Sequence, residues 1–228
     1  MLITGKRVPL ASETFDAAGA RDYDEHARRF MLSVYRDFRH KLEHRGWLGG
    51  RTLDLGAGSA LLAIELARSG TPQLSVEALD LSFDMLRLAR GNLRRAGEIS
   101  GVSLIQADVS SLPLGEACFD LVVSNASLHT WNAPLKVLSE IDRVLKRGGY
   151  CLIRDNLRVP YLLYPAISLA ASRRKMEAKG RGLWWTAILA SYTLPEARKL
   201  LEKSALSGAR VSLNYRFLDM EISWRKPG

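Results

Sequence analysis

The stretch LDLGAGSALLAIELA, residues 53–67, decides how this chain is read: an apolar strand runs into two glycines one residue apart and then into an amphipathic helix. Turns of this kind aim backbone N–H groups at a ligand beside a helix N-terminus. A dinucleotide fold would put glycine at 56, 58 and 61, the third for close packing of helix on strand, but position 61 is Leu61. A phosphate loop would continue into Gly-Lys-Ser/Thr, and none follows. What stands here is Asp54, two places before Gly56. A carboxylate at that point repels a pyrophosphate and suits a ligand bearing an amine.

Outward from this turn the chain alternates. Strand 51–55 and helix 59–68 are followed by strand 74–79 and a helix capped by Ser82 and stopped at Gly97. Strands 102–106 and 120–124, helix 134–145 with its exit at Gly148-Gly149, and strand 150–153 complete the pattern. Short, continuously apolar strands separated by helices imply a parallel sheet covered on both faces, a doubly wound α/β fold. Upstream, Tyr23, Ala27, Phe30, Met31, Val34, Tyr35, Phe38 and Leu42 keep the three-and-four spacing of one helical stripe from Asp22 to Arg45, ended by Gly46. Downstream, Thr193-Leu-Pro-Glu196 is a capping box opening a helix to about Ala205, and ARVSLNYRFLDMEISWRK alternates as two extended segments. Strands so close must pair antiparallel, because a parallel return needs a crossover of a dozen or more residues. The expected architecture is a mostly parallel seven-stranded sheet with a C-terminal antiparallel hairpin. It forms one domain: an N-terminal helical cap (1–46), a ligand-binding core (51–155), an insert shaped as a lid (156–192), and a C-terminal helix and strand pair (193–228).

The 228 residues are enough for one well-buried core. The chain has neither an apolar run of membrane-spanning length nor the charged-then-apolar order of a signal peptide, and it reads as soluble and cytoplasmic. Cys118 and Cys151 lie far apart in apolar runs, which suggests inert core thiols rather than a disulfide framework or a zinc site; no His/Asp/Glu set has metal-ligand spacing. The net charge of +9 is uneven: residues 51–150 carry 10 basic and 11 acidic side chains, residues 151–200 carry 9 and 3. A patch of that kind attracts an anionic substrate, RNA or an anionic membrane surface, or is simply a solvated face.

With Asp54-x-Gly56-x-Gly58-x-Ala60 in its first loop, the chain resembles the class I S-adenosylmethionine-dependent methyltransferases, in the branch of small-molecule and quinone-type C-methyltransferases. The resemblance spans about Tyr23 to Ala205 and implies a Rossmann-like fold. It departs from the family at Ala60, where a third glycine is commonest; one added methyl tightens the loop without excluding the cofactor. By resemblance Asp54, Gly56, Ala57 and Gly58 would hold the methionyl and ribosyl parts of S-adenosylmethionine. Asp80, ending the second strand, would accept both ribose hydroxyls, and Asp108 the adenine amino group. Leu81, Met85 and Val109 would sandwich the adenine, and Ser124 and Asn125 would face the methionine portion. Tyr23 resembles the N-terminal element that closes over the cofactor, whose product is S-adenosylhomocysteine.

The sulfonium already makes the methyl group electrophilic, so the protein must align an acceptor and exclude water. Methyltransferases of exocyclic base amines usually carry Asn/Asp-Pro-Pro-aromatic after the fourth strand; this chain reads Asn125-Ala-Ser-Leu128. Pyrimidine-carbon enzymes commonly use a Pro-Cys nucleophile, and neither cysteine follows proline. Both absences disfavour those two nucleic-acid chemistries and leave ribose and other routes untouched. His129, the sole histidine beyond residue 44, is placed either as general base or as a wall of the pocket. Asp155 and Asn156 either position an acceptor hydroxyl or cap the next segment. In the lid insert, Leu, Ile, Tyr and Trp residues surround Arg173, Arg174, Lys175, Lys179 and Arg181. That mixture suits an amphipathic acceptor with an acidic head, or contact with an anionic membrane. The rival readings are an RNA methyltransferase tracking phosphates along the basic lid, and a cofactor-binding module without catalysis.

Overall fold

The structure is a computed structural model that describes residues 5–10, 15–97, 99–160, 163, 165 and 178–228. Seven strands, β1 (Arg51–Leu55), β2 (Ser75–Asp80), β3 (Val102–Gln106), β4 (Phe119–Asn125), β5 (Leu145–Asp155), β6 (Arg210–Asn214) and β7 (Asp219–Arg225), make one sheet in the order β3-β2-β1-β4-β5-β7-β6. Strands β1 to β5 run parallel, and β7 pairs antiparallel with both β5 and β6.

Period-two alternation puts each strand's side chains into two separate cores. On one face Leu53, Leu55, Val122 and Ile153 pack with α5 (Pro134–Val144) and α7 (Leu194–Glu202) through Leu138, Ile141, Ala197 and Leu201. On the other, Val76, Ala78, Leu121 and Val123 meet α2 (Leu32–His44) and α3 (Leu61–Ala67) through Tyr35, Phe38, Leu42 and Leu66. Helices α1 (Ala17–Phe30), α4 (Phe83–Arg95) and α6 (Ala178–Ala190) complete the elements. Because the chain returns from the β3 edge to place β4 beside β1, the strand order reverses there, and ligands in open α/β sheets bind beyond the strand C-termini at such a point.

Four elements differ from the sequence reading by more than one residue, each for a local reason. The single helix expected over Asp22–Arg45 is two: α1 starts at Ala17, where Asp16 accepts the Gly19 N–H at 2.7 Å, and the chain bends at Met31. Helix α3 starts at Leu61 rather than Ser59, because Ala60 takes a left-handed φ of 60° and lengthens the glycine turn. Strand β5 begins at Leu145, pairing with Phe119 before a register shift over the Gly148-Gly149 bulge brings Tyr150 opposite Leu121. The last helix ends at Glu202, short of Ala205. Of the two cysteines, Cys151 is fully buried, which pushes its thiol up, whereas Cys118 is only half-buried and so is not a core thiol.

Candidate active site

A cavity of about 770 Å³ opens over the C-terminal ends of the parallel strands. Its floor is the glycine turn. Gly56 has φ of 67°, and a Cβ there would collide with the Ser127 hydroxyl, so glycine is required both by conformation and by the close approach of the chain after β4. Gly58, at φ 54°, donates its N–H to Asp80 Oδ2 at 2.8 Å, while Asp80 Oδ1 accepts from the Ser82 N–H at 2.9 Å. Ser82 itself caps α4 through Met85 N. The Asp80 carboxylate, with four lone-pair sites, keeps acceptor capacity for a further donor. Burial raises the pKa of this carboxyl, and the backbone N–H groups that hold it partly offset that shift.

Asp54 lies beneath this wall, 1% exposed, with Oδ2 lacking a partner among the described residues. Burial, then the Asp80 charge, pushes its pKa up to about 7. Across the turn the Asn125 amide nitrogen is also buried without a partner among the described residues. One unused acceptor and one unused donor fit the zwitterionic end of an amino acid, its ammonium towards Asp54 and its carboxylate towards Asn125. Tyr23 stands over Gly58 and accepts a hydrogen bond from Tyr35. Burial, then Asp80, Asp155 and Asp54, push the Tyr23 phenol up to about 12. The wall is therefore electronegative and suits a cationic ligand such as a sulfonium. Past Asp80, Leu81, Met85, Asp108 and Val109 line the adjoining stretch, with Leu81 about half exposed (49%) and Met85 buried. Asp108 lies beyond the end of β3, and its Oδ1 also accepts the Ser110 N–H at 2.7 Å.

Three residues of the expected donor site are not part of the cavity lining: Asp54, which lies beneath the wall, Ala57 and Ser124. Ser124 is fully buried, and its hydroxyl donates to the Leu55 carbonyl at 2.9 Å, tying β4 to β1. Ala57 spends its N–H on the Leu79 carbonyl and packs into the core beneath α2 and α3. Alternation explains Ser124: its neighbour Asn125, one position on, is the residue that reaches the cavity.

At the opposite wall, the 3-10 turn Leu128–Thr130 carries His129, and β5 ends in Asp155. Both are buried, and His129 Nδ1 lies 2.7 Å from Asp155 Oδ1. Asp155 Oδ2 accepts the His129 N–H at 2.6 Å, and Oδ1 accepts the Asn156 N–H. A carboxylate already accepting on both oxygens accepts from the ring as well, which places the proton on Nδ1 and the lone pair on Nε2. The sequence reading singled out both residues but not their pairing. It was available from topology, because parallel β4 and β5 put Asn125 opposite Arg154 and so bring the segments after them together. Three features escaped it. Trp131 fixes Ser127 through Nε1, Arg7 donates to the His129 carbonyl at 2.8 Å, and Phe217 on the last hairpin lines the cavity. Part of the expected lid lies outside the described residues: Arg173, Arg174 and Lys175 are not described, nor are the side chains of Lys179 and Arg181. Trp184, Thr186 and Ala187 of α6 do line the cavity. Among the described residues no helix is long and apolar enough to cross a membrane, and no His/Cys/Asp/Glu group forms a metal site.

Comparison with known proteins agrees with this geometry. A family model described as a methyltransferase domain matches residues 53–153. The chain is 30% identical over 169 residues to the ubiquinone/menaquinone biosynthesis C-methyltransferase of Blochmanniella pennsylvanica, covering 72% of this chain and 66% of that one. It is 32% identical over 124 residues to an uncharacterized chloroplastic methyltransferase of Arabidopsis thaliana, covering 51% of this chain and 35% of the relative. The matches thus span from about a third to just under two thirds of those relatives' lengths. In fold, it superposes on an S-adenosyl-L-methionine-dependent methyltransferase structure from Methanococcus maripaludis with a TM-score of 0.73 at 23% identity, covering 97% of this chain and 98% of the other. A counterpart from Aquifex aeolicus gives 0.68 at 19% identity, covering 93% and 99%. A glycine turn backed by carboxylates at successive strand ends, together with these matches, places the chain in the class I S-adenosylmethionine-dependent methyltransferase family.

Proposed function

We propose that this chain transfers the methyl group of S-adenosylmethionine to carbon or oxygen of a small apolar or amphipathic acceptor, releasing S-adenosylhomocysteine. The observation that carries the reading is that one cavity holds the glycine turn with Asp80 on one wall and the His129–Asp155 pair on the other. The donor's sulfonium supplies the electrophilic methyl. The residues at the glycine turn bind and orient it: Asp80 for the ribose hydroxyls, Asp54 and Asn125 for the amino-acid end, and Leu81, Met85 and Val109 for the adenine. His129 takes the proton that a carbon or hydroxyl acceptor must lose, and Asp155 holds its ring in the basic tautomer. Phe30, Val34, Trp184 and Phe217 give the rest of the cavity an apolar wall that excludes water. A carbon acceptor is in keeping with the C-methyltransferase named among the relatives.

Calorimetric titration with S-adenosylmethionine and S-adenosylhomocysteine, with NAD as control, tests the donor half. Micromolar binding of the first two and none of the third supports it, and no binding of either sinks it. Asp80→Ala should weaken donor binding by roughly 1.5 to 3 kcal/mol, the cost of hydrogen bonds lost to a charged acceptor. A panel of apolar, hydroxylated acceptors, read by S-adenosylhomocysteine release, tests the other half.

A further inference from the structure

The turn between β6 and β7, Asn214-Tyr-Arg-Phe-Leu-Asp219, is built against the usual rule for turns. It closes by the Leu218 N–H bonding to the Asn214 carbonyl at 2.8 Å, with the Arg216 N–H on the Asn214 side chain at 3.3 Å. Leu218 takes a φ of 56°, where glycine or asparagine is the ordinary choice, and it is 65% exposed. Tyr215 beside it is 81% exposed. Neither side chain packs in a core and neither helps the turn form, so folding gives no reason for two large apolar residues, one of them strained, at this tip. Phe217 between them points the other way and lines the cavity.

The surroundings are cationic. Arg216 is exposed and bonds to Asp37 at 3.0 Å, and beside it runs a cleft formed by His40, Lys41, His44 and Arg45 of α2 and the residue that follows. The cations on this face stand outside its carboxylates: the side chains of Arg216 and Arg45 are 70% and 42% exposed, those of Asp37, Asp219 and Glu221 only 15%, 15% and 6%. Asp37 serves Arg154 and Arg216, Glu221 serves Lys41 and Arg45, and Glu43 serves Arg39 and His40. The face therefore presents its cations outermost around an exposed tyrosine and leucine, the combination that settles at the boundary of headgroups and acyl chains.

We propose that the β6–β7 turn is a docking tip for an anionic lipid surface. Tyr215 and Leu218 enter the headgroup boundary, and Arg216 with the cations of α2 meets the anionic headgroups. The inference extends the reading of an amphipathic acceptor, since Phe217 joins the tip to the cavity, but its test needs no turnover.

The test is sedimentation of the full chain with vesicles of phosphatidylcholine alone and of phosphatidylcholine mixed with phosphatidylglycerol. The chain should bind the mixed vesicles and release them in high salt, and Tyr215→Ser with Leu218→Gly should weaken that binding about tenfold or more. Leu218→Gly alone relieves the left-handed leucine, so an unchanged or higher melting temperature with unchanged S-adenosylmethionine binding shows that the loss is not unfolding. Equal vesicle binding by wild type and double variant, equal binding to both vesicle types, or no binding by wild type would each overturn the proposal. Failure of the methyltransferase reading shows separately, as absent donor binding, and leaves the vesicle result standing.

Discussion

Asp54 keeps a carboxyl group where a folded protein would ordinarily bury an apolar side chain, and the consequence is a pH dependence with a definite sign. Its folded-state pKa of about 7 lies above the unfolded value of 3.8. The resulting stability of the free protein is therefore fully present below about pH 4 and is lost as pH rises through 7. An ammonium group bound beside Oδ2 favours the carboxylate instead, so donor binding near neutrality should expel a proton. Affinity should climb from pH 6 towards 7.5, then fall as the ligand's own amino group, ordinarily near about 8, loses its charge. Calorimetry in two buffers of different ionisation enthalpy reads the proton directly, and a flat profile would remove Asp54 from the donor site. Asp54→Asn should abolish the slope, stabilise the free protein above pH 7, and weaken the donor by about 1 to 2 kcal/mol. His129 makes the complementary case, because in the proposed reaction it meets only the acceptor. Its replacement by glutamine should lower kcat by roughly 10²- to 10⁴-fold and leave donor affinity alone. Loss of donor binding with it would mean that His129 supports the pocket and takes no proton.

Elements were legible in the sequence wherever a short apolar run ended in a glycine or a cap, and illegible where the pattern ran on through a bend. Strands 51–55 and 102–106 fall where they were expected, bounded by Gly50 and Gly101, and Thr193 with Glu196 forms the expected capping box. The break at Met31 left no trace, since Val34, Tyr35, Phe38 and Leu42 prolong the stripe begun at Tyr23 and Ala27, and neither glycine nor proline marks the join. Nor could composition show what fixes α1 on the site. Asn92 of α4, 2% exposed, donates to Asp24 at 2.8 Å and to the Ser59 carbonyl at 2.9 Å, and it also accepts from Arg28. One amide thus joins α1, α4 and the glycine turn, and it sets where Tyr23 sits over Gly58. Asn92→Ala strips a partner from a buried carboxylate and from a buried carbonyl, so it should cost about 2 to 3 kcal/mol in denaturant unfolding. Because Tyr23 is thereby loosened, donor affinity should fall as well. Lost stability with unchanged affinity would show that α1 does not hold the donor.

For the whole molecule, strand order converts local signals into a site. Three of the carboxylates picked out in the sequence, Asp54, Asp80 and Asp155, stand close enough to act on one phenol only because β1 lies between β2 and β4, with β5 next to β4. Parallel connectivity made that much inferable. Contacts between distant segments had no sequence signal at all. Arg7 donates to the Ala190 carbonyl at 2.6 Å and the His129 carbonyl at 2.8 Å, and its guanidinium lies 4.3 Å over the Tyr192 ring. Arg158 reaches the Gly5 carbonyl and Glu196 from the other side. The N-terminal segment is thus strapped across the end of α6 and the start of α7, and it holds the backbone of the turn that carries His129. Arg7→Ala removes two hydrogen bonds and a cation–π contact, worth about 2 kcal/mol together, so melting should fall by roughly 4 to 8 °C. If the strap also aims His129, kcat should drop while donor affinity stays fixed. Arg7→Lys, which keeps the charge but not the fork that spans both carbonyls, should recover stability better than rate. A variant that melts earlier yet turns over normally at low temperature would reduce Arg7 to a fastening of the chain terminus, and would leave Asp155 to orient the imidazole alone.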